Sequence, residues 1–409
     1  MLIQFNYNNF KSFKEETTLD MTASSIKEHI DNTINQEENR YLKVTAIYGA
    51  NSSGKSNVIE AFLHMKRLVR ESFALVNKWE EIPLKRFAFD KNSKKEPSMF
   101  EVFFEYNKEI YQYGFELDNK EIKEEWLYKK DKEYKSERYD MVFVREKENF
   151  ELSEELKNYS EILKGISEKT LILSVLANLK IENIKNVFNW FEKITIINFG
   201  NPLVDTLKGR MLPKELVKGS FEEKEEFNIF LSNIDVGIKN IKLEEDSDNS
   251  EKKKYKAFSM HYNNDTNLEE YISLQEESDG TLKMISMYSD LKNCLKNGNT
   301  LFVDELDAKL HPLLTKYIIQ IFHNKKTNPN NAQLIYTTHD VTNLTKEIFR
   351  RDEIWFVEKD KKNVSHLYSL AEYKIDDKKV RNDASYNKDY LLGRYGALPI
   401  LKEFEVGDE

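Results

Sequence analysis

Gly49-Ala-Asn-Ser-Ser-Gly54-Lys55-Ser56 reads G-x-x-x-x-G-K-S. The two glycines let backbone N–H groups close around phosphate oxygens. Lys55 can reach the outer phosphates of a nucleoside triphosphate, and the Ser56 hydroxyl can bind Mg²⁺. Just upstream, Leu42-Lys-Val-Thr-Ala-Ile47 reads as a strand. Downstream, Val58, Ile59, Phe62, Met65, Leu68 and Val69 recur at helical spacing and fall on one face. Strand, glycine loop and helix N-terminus together form an anion site. The expectation is an α/β fold in which Gly49, Ala50, Asn51, Ser52, Ser53, Gly54, Lys55, Ser56 and Asn57 surround the phosphates of ATP.

Turnover needs more than a phosphate loop: a metal-binding acid, a base and a sensor of the γ-phosphate. The last third of the chain offers all three. Asn299-Thr-Leu-Phe-Val-Asp304-Glu305 is a short apolar strand ending in two acids. Asp304 is the candidate Mg²⁺ ligand beside Ser56, and Glu305 the candidate base for the attacking water. Taken alone, the same residues also describe a strand ending in a solvated acidic turn. Gln333-Leu-Ile-Tyr-Thr-Thr-His339-Asp340 repeats the pattern, with His339 positioned to bond the γ-phosphate or to serve structure. Between these segments and the phosphate loop, Glu276-Glu277-Ser278-Asp279-Gly280-Thr281 precedes Leu282, Met284, Ile285 and Met287. It reads as a helix start capped by Ser or Asp.

G-x-x-x-x-G-K-S, S-x-G-T, hydrophobic-D-E and T-T-H-D, in that order, resemble the ABC-type ATPase head. The nearest branch is the one shared by SMC proteins, RecF and the overcoming-lysogenisation nucleases. Asn9-Phe10-Lys11-Ser12-Phe13 is similar to that branch's N-terminal strand–loop, which implies that Lys11 and Ser12 approach the nucleotide. Tyr113-Gly-Phe-Glu-Leu-Asp118, Glu124-Glu-Trp-Leu-Tyr128, Arg350-Arg-Asp-Glu-Ile-Trp-Phe-Val-Glu358 and Tyr390-Leu-Leu-Gly393-Arg394-Tyr395-Gly396-Ala-Leu-Pro399 echo the stand-alone ATPases of abortive-infection and PARIS-type anti-phage systems. The resemblance implies a two-lobed head with a mixed sheet, an antiparallel meander and a helical insertion. It also implies that Ser278, Gly280 and Thr281 complete the nucleotide site of a second copy. ATP would then hold a homodimer or larger homo-oligomer together, acting with a separate effector protein. A RecF-like DNA-repair clamp is the alternative.

Three departures stand out. Glu277 precedes Ser278 where leucine is usual, and Thr281 stands where glutamine is common. The segment after the acids runs Glu305-Leu-Asp307-Ala-Lys-Leu-His311-Pro312, with His311 at a position that is Asp in transporters and SMC heads. Gln112 is a candidate glutamine-loop residue, but Tyr111-Gln-Tyr-Gly equally reads as strand alternation.

The chain has 409 residues, 40% hydrophobic and 33% charged, enough for a sizeable core and two or three domains. The expected division is an N-terminal lobe over 1–130, a mainly helical insertion with return strands over 131–265, and a C-terminal lobe over 266–409. Phe100, Val102 and Phe104, then Tyr111, Tyr113 and Phe115, then Ile122, Glu124 and Trp126 alternate as a meander should. The stretch from about 130 to 230 reads mainly as helix, closed by a return strand at Ile194-Thr-Ile-Ile-Asn-Phe. It is far too short for SMC-type coiled-coil arms. Ser24 to Arg40 reads as an exposed loop and Glu244 to Lys256 as a charged turn.

A net charge of −9 argues against a dominant nucleic-acid surface. Lys91, Lys94, Lys95 and Lys252-Lys253-Lys254 are candidates for a local basic patch, or simply solvated loops. A single cysteine, Cys294, fits a reducing cytoplasm, and no apolar run approaches the roughly 20 residues of a membrane span. Ile354-Trp-Phe-Val-Glu358-Lys-Asp360 superficially resembles the first strand of a Toprim nuclease, with Asp376-Asp377 beyond it. Only about 50 residues follow Glu358, too few for that domain. Gly393 to Pro399 reads as a structural clasp, or as a contact with nucleotide or partner.

Overall fold

A computed structural model describes residues 1–36, 39–131, 138–179, 181–209, 211–235, 237–246, 254–263, 265–266, 268–375, 378–380 and 384–399. Lys252, Lys253, Asp376 and Asp377 lie outside the described residues.

The chain opens with β1 (Leu2–Tyr7) and β2 (Thr17–Asp20), then the hairpin β3 (Thr33–Gln36) and β4 (Asn39–Leu42). β5 (Val44–Tyr48) leads into the glycine loop and α1 (Lys55–Leu75). A meander follows: β6 (Ser98–Tyr106), β7 (Glu109–Leu117), β8 (Ile122–Asp131), β9 (Asp140–Glu146) and β10 (Asn149–Leu152). Next come the short α2 (Ser160–Lys164) and α3 (Ile172–Leu176), the longer α4 (Glu182–Lys193) and β11 (Thr195–Asn198). After these lie α5 (Pro202–Gly209), α6 (Lys214–Lys218) and α7 (Phe221–Ile234). The strands β12 (Asn240–Asp246), β13 (Lys254–Tyr262) and β14 (Glu269–Ser273) precede α8 (Asp279–Asn297). The C-terminal part contains β15 (Thr300–Asp304), α9 (Pro312–His323), β16 (Gln333–Thr337), β17 (Ile354–Lys359), β18 (Ser365–Ser369) and α10 (Tyr386–Leu391).

Two large sheets organise this mixed α/β fold. One is antiparallel, in the order β10-β9-β8-β7-β6-β1-β2. The other runs β11-β15-β16-β5-β17-β18 and is parallel except for its last pair. Every residue of β5, β15 and β16 is buried. Parallel strands covered on both faces carry such near-continuous apolar runs rather than alternation. Helix α1 fills the space between the sheets. Its Phe62 packs on Phe5 of one sheet, at 5.0 Å between ring centroids, and stacks on Phe302 of the other at 4.5 Å. On the far face of the parallel sheet lie α8 and α9, through Met284, Met287, Ile318, Ile319 and Phe322. Among the described residues no helix is long and apolar enough to cross a membrane.

The structure departs from the expected elements in three places. The meander continues past residue 130 through β9 and β10; Asp140–Glu146 pairs along β8, so the helical part begins only at Ser160. The flanks of the expected charged turn, Glu244–Glu245 and Tyr255–Lys256, pair across β12 and β13 as part of a three-stranded sheet. The stretch after Ser24 is not a free loop: β3 and β4 form a hairpin, with Asn32, Thr33 and Ile34 buried. Arg350, 1% exposed, donates to the carbonyls of Ser24, Ile26 and Glu28 and pairs with Asp352. The expected return strand does join the parallel sheet, as β11 at its edge beside β15.

The tail is a clasp. Tyr395 is fully buried against Phe356, its carbonyl accepts from the Tyr368 hydroxyl at 2.6 Å, and the Ala397 carbonyl accepts from the Tyr390 hydroxyl at 3.1 Å. Gly396 has a φ of +67°, and a Cβ there would sit 2.7 Å from the Glu358 carboxylate. The Toprim-like stretch is β17, which pairs with β5 inside the parallel sheet.

Candidate functional site

Parallel strands β15, β16 and β5 lie side by side, so their C-terminal ends open on one crevice. β5 stops at Tyr48 and the chain turns at Gly49, whose φ is +152°. A Cβ on Gly49 would collide with the Val357 carbonyl, and one on Gly54 (φ +116°) would lie 2.5 Å from Ser365 Oγ and 2.7 Å from Ser12 Oγ. Both glycines are therefore demanded by the path of the loop. Helix α1 starts immediately at Lys55, which turns its first N–H groups toward the loop.

The Lys55 ammonium is buried and folded back, donating to the carbonyls of Gly49 at 2.9 Å and Ala50 at 3.0 Å. Burial pulls its pKa down to about 8, against the pull of Asp304, Glu305 and Asp307. Ser53 Oγ is buried with no hydrogen-bond partner among the described residues. A cradle of glycines, a buried ammonium satisfied only by carbonyls and an orphan hydroxyl suit a polyphosphate.

The N-terminal loop reaches this cradle. Asn57 Nδ2 donates to Ser12 Oγ at 2.7 Å, and Ser365 donates through its N–H to the Ser12 carbonyl at 2.8 Å and through its hydroxyl to Ser12 Oγ at 2.8 Å. Asn9 anchors the loop by donating to the Ser93, Glu96 and Pro97 carbonyls. Lys11 is placed differently: its ammonium pairs with Glu60 on α1.

Asp304 ends β15, 1% exposed, with Oδ1 accepting from the Thr337 hydroxyl at 2.6 Å. The same hydroxyl accepts from the Glu305 N–H at 2.8 Å. Glu305 occupies the left-handed region at φ +55°. Burial first, and the Asp304 charge next, raise its carboxyl above the usual range. Lys283 of α8, 3% exposed, donates to the carbonyls of Glu305 at 3.1 Å, Leu306 at 2.9 Å and Ala308 at 2.7 Å. Its ammonium lies 3.9 Å above the Phe199 ring. This buried cation ties α8 to the turn that carries the acids. His339 donates its N–H to both Asp307 oxygens at 3.2 Å; burial, then Lys55, lower its imidazole pKa.

Asn51, Ser52, Gly54, Lys55, Ser56, Asn57, Glu305, His339 and Lys359 line one cavity of about 520 Å³. The phosphate loop, the candidate base and the candidate sensor thus converge, although the sequence separates them by hundreds of residues. Ser56 lines the cavity; Asp304, the other expected Mg²⁺ ligand, does not, although its charge acts on Lys55. Ser278, Gly280 and Thr281 stand elsewhere, at the start of α8. Ser278 Oγ caps the helix by accepting from Thr281 N–H at 3.1 Å, and the Thr281 hydroxyl donates to Asp235 at 2.9 Å. None of the three lines the cavity. Gln112 sits in β7 and donates to Glu101 at 2.7 Å, the strand alternative.

The sequence reading missed Ser365, Thr337, Lys283 and Lys359 as parts of the site. Thr337 lay inside a quoted strand, one residue from the end of an apolar run. Ser365 and Lys283 carry no local signal at all.

Residues 44–345 match the family described as "AAA domain, putative AbiEii toxin, Type IV TA system". The match covers well over half of the chain, and the chain belongs to this family of nucleotide-binding ATPase domains. No curated protein matches it.

Proposed function

We propose, from this family membership, that the protein binds ATP with Mg²⁺ in the Lys55 cavity and hydrolyses it in the manner of an ABC-type head. The observation that carries the reading is the convergence of the phosphate loop, Glu305 and His339 on that single cavity. Lys55 exchanges the Gly49 and Ala50 carbonyls for the β- and γ-phosphates, and the first amides of α1 take the remaining phosphate oxygens. Ser56 and Asp304 hold Mg²⁺, which when bound neutralises phosphate charge. Glu305 accepts a proton from the water that attacks the γ-phosphorus as the bond to the β,γ-bridging oxygen breaks. His339 orients that water and the γ-phosphate.

Ser278 and Gly280 stand apart from the cavity at the open start of α8, which supports their serving a second copy, while the Thr281 hydroxyl is tied to Asp235 within its own chain. Two heads would then close on two ATP molecules and separate after hydrolysis. The setting proposed is anti-phage defence, with a separate effector gated by the nucleotide state. The family description, which names a toxin of a type IV toxin–antitoxin system, and the PARIS-like echoes of the sequence support it.

The test is light-scattering mass of Glu305→Gln with ATP and Mg²⁺, beside wild-type ATPase rates. A nucleotide-dependent dimer that turns over at least tenfold more slowly than wild type is expected. A Glu305→Gln protein that stays monomeric with ATP would remove the sandwich. Dimers that retain DNA would favour the RecF-like clamp.

A further inference from the structure

Asn198 ends β11 in register with Asp304 on the neighbouring strand β15. The next amide, Phe199 N–H, donates to the Asp304 carbonyl at 3.1 Å, and the chain then turns away at Gly200. A Cβ at Gly200 would lie 3.1 Å from both Cδ and Oε1 of Glu305, and 3.3 Å from Asn198 Oδ1. The Glu305 carboxylate and the Asn198 carboxamide therefore converge over the bare Cα of Gly200. Asn198 Oδ1 is buried and has no hydrogen-bond partner among the described residues.

A buried amide oxygen without a partner is costly, and buried polar groups in folded proteins find partners. Turning the carboxamide by 180° exchanges O for NH₂ at almost no steric cost. It puts a donor in place of an acceptor on the side of Gly200 that the Glu305 carboxylate shares. The Glu305 backbone is already fixed by Thr337 at its amide and by Lys283 at its carbonyl. What remains free is the direction of the carboxylate, and a Cβ at Gly200 would press on it at 3.1 Å.

We propose that Asn198 is a positioning residue for Glu305. Its carboxamide donates to one carboxylate oxygen over Gly200 and so aims the other into the Lys55 cavity. This rests on the reading of Glu305 as the base. The strand edge thereby acts on turnover without contacting nucleotide.

The experiment measures steady-state MgATP hydrolysis and fluorescent-nucleotide binding by the full chain carrying Asn198→Ala, Gly200→Ala, Glu305→Gln, or Asn198→Ala with Glu305→Gln. Asn198→Ala should lower kcat about tenfold or more, as misdirection of a reacting group does, with KM and nucleotide affinity within about twofold of wild type. Gly200→Ala, whose methyl displaces the carboxylate, should do the same. In the Glu305→Gln background Asn198→Ala should cost nothing further, because the group it aims is gone. A kcat within about twofold of wild type in folded Asn198→Ala and Gly200→Ala overturns the proposal, as does the same loss in both backgrounds, which marks a merely structural effect. Full turnover in Glu305→Gln alone removes the base reading itself, and this proposal with it.

Discussion

Thr337 donates its hydroxyl hydrogen to Asp304 Oδ1 at 2.6 Å, and its oxygen accepts from the amide of Glu305 at 2.8 Å. One side chain on β16 therefore fixes both the carboxylate that ends β15 and the backbone of the next residue, held at φ +55°. A left-handed non-glycine residue is strained and persists only where its surroundings over-determine it.

Thr337→Val keeps the β-branched shape and removes the hydroxyl. It leaves a part-buried amide and a buried carboxylate oxygen without their partner, each costing about 1–3 kcal/mol. The expected result is a lower unfolding midpoint together with a kcat for ATP reduced about tenfold or more. A variant with wild-type kcat would show that the hydroxyl does not set the Glu305 geometry.

Lys55→Ala should severely weaken nucleotide binding. The ammonium now makes two bonds to loop carbonyls, and charge-assisted bonds to phosphate are roughly twice as strong as neutral ones. A loss of about 100-fold in affinity is expected. Titration calorimetry with ATP and Mg²⁺ reads it, and an unchanged affinity would refute the phosphate-loop assignment.

Glu125 joins the meander to the helical part. It is fully buried in β8 and accepts from the amides of Ile172 and Leu173 at 2.6 and 3.0 Å and from the Tyr113 hydroxyl at 3.0 Å. Arg145 contributes a favourable charge. Glu125→Ala strands the two amides and the Tyr113 hydroxyl, so a loss of about 3 kcal/mol or more is expected at about 1–3 kcal/mol per stranded group. Urea unfolding checks it; a loss below about 1 kcal/mol would mean that the amides find other partners.

His64 on α1 should make the fold acid-sensitive. It stacks on Phe10 at 5.4 Å and lies 5.2 Å from Phe100, with its Nε2 buried and unpartnered among the described residues. Burial first, and then Arg67 and Lys11, lower its pKa to about 4. Its folded pKa lies below the unfolded value, so the unfolded chain takes up the proton first. The contribution is complete above about pH 6.5 and is lost as pH falls toward 4, by up to about 3 kcal/mol. Urea midpoints for wild type and His64→Leu at pH 7.5 and pH 5 test this. The variant should lose less stability than wild type between the two pH values, and parallel losses would acquit His64.

The parts of the site that were legible in the sequence are those governed by short-range rules. Gly49 to Ser56 was readable because a tight turn from a strand into a helix needs glycines at fixed positions. Thr300–Asp304 and Gln333–Thr337 were readable because strands covered on both faces must be apolar throughout. The helix start at Ser278 was readable because a capping hydroxyl precedes a helical apolar pattern.

Pairings across the chain were not legible. Ser12 meets Ser365 across 353 positions, and a hydroxyl has no periodicity to announce its partner. The strands β9 and β10 were missed because Asp140–Glu146 is too short and too mixed in burial to outweigh the helical patterns that follow. By itself the sequence determined the glycine loop, the strands that lead to Asp304 and His339, and the order in which they come. Only the tertiary structure decided what stands beside Glu305: Thr337 from β16, Lys283 from α8, and Asn198 with Gly200 from the end of β11 arrive there from three different segments. Local patterns follow from the repeat of helix and strand, whereas a site at the ends of several strands is set by which strands pair, and pairing is a property of the whole chain.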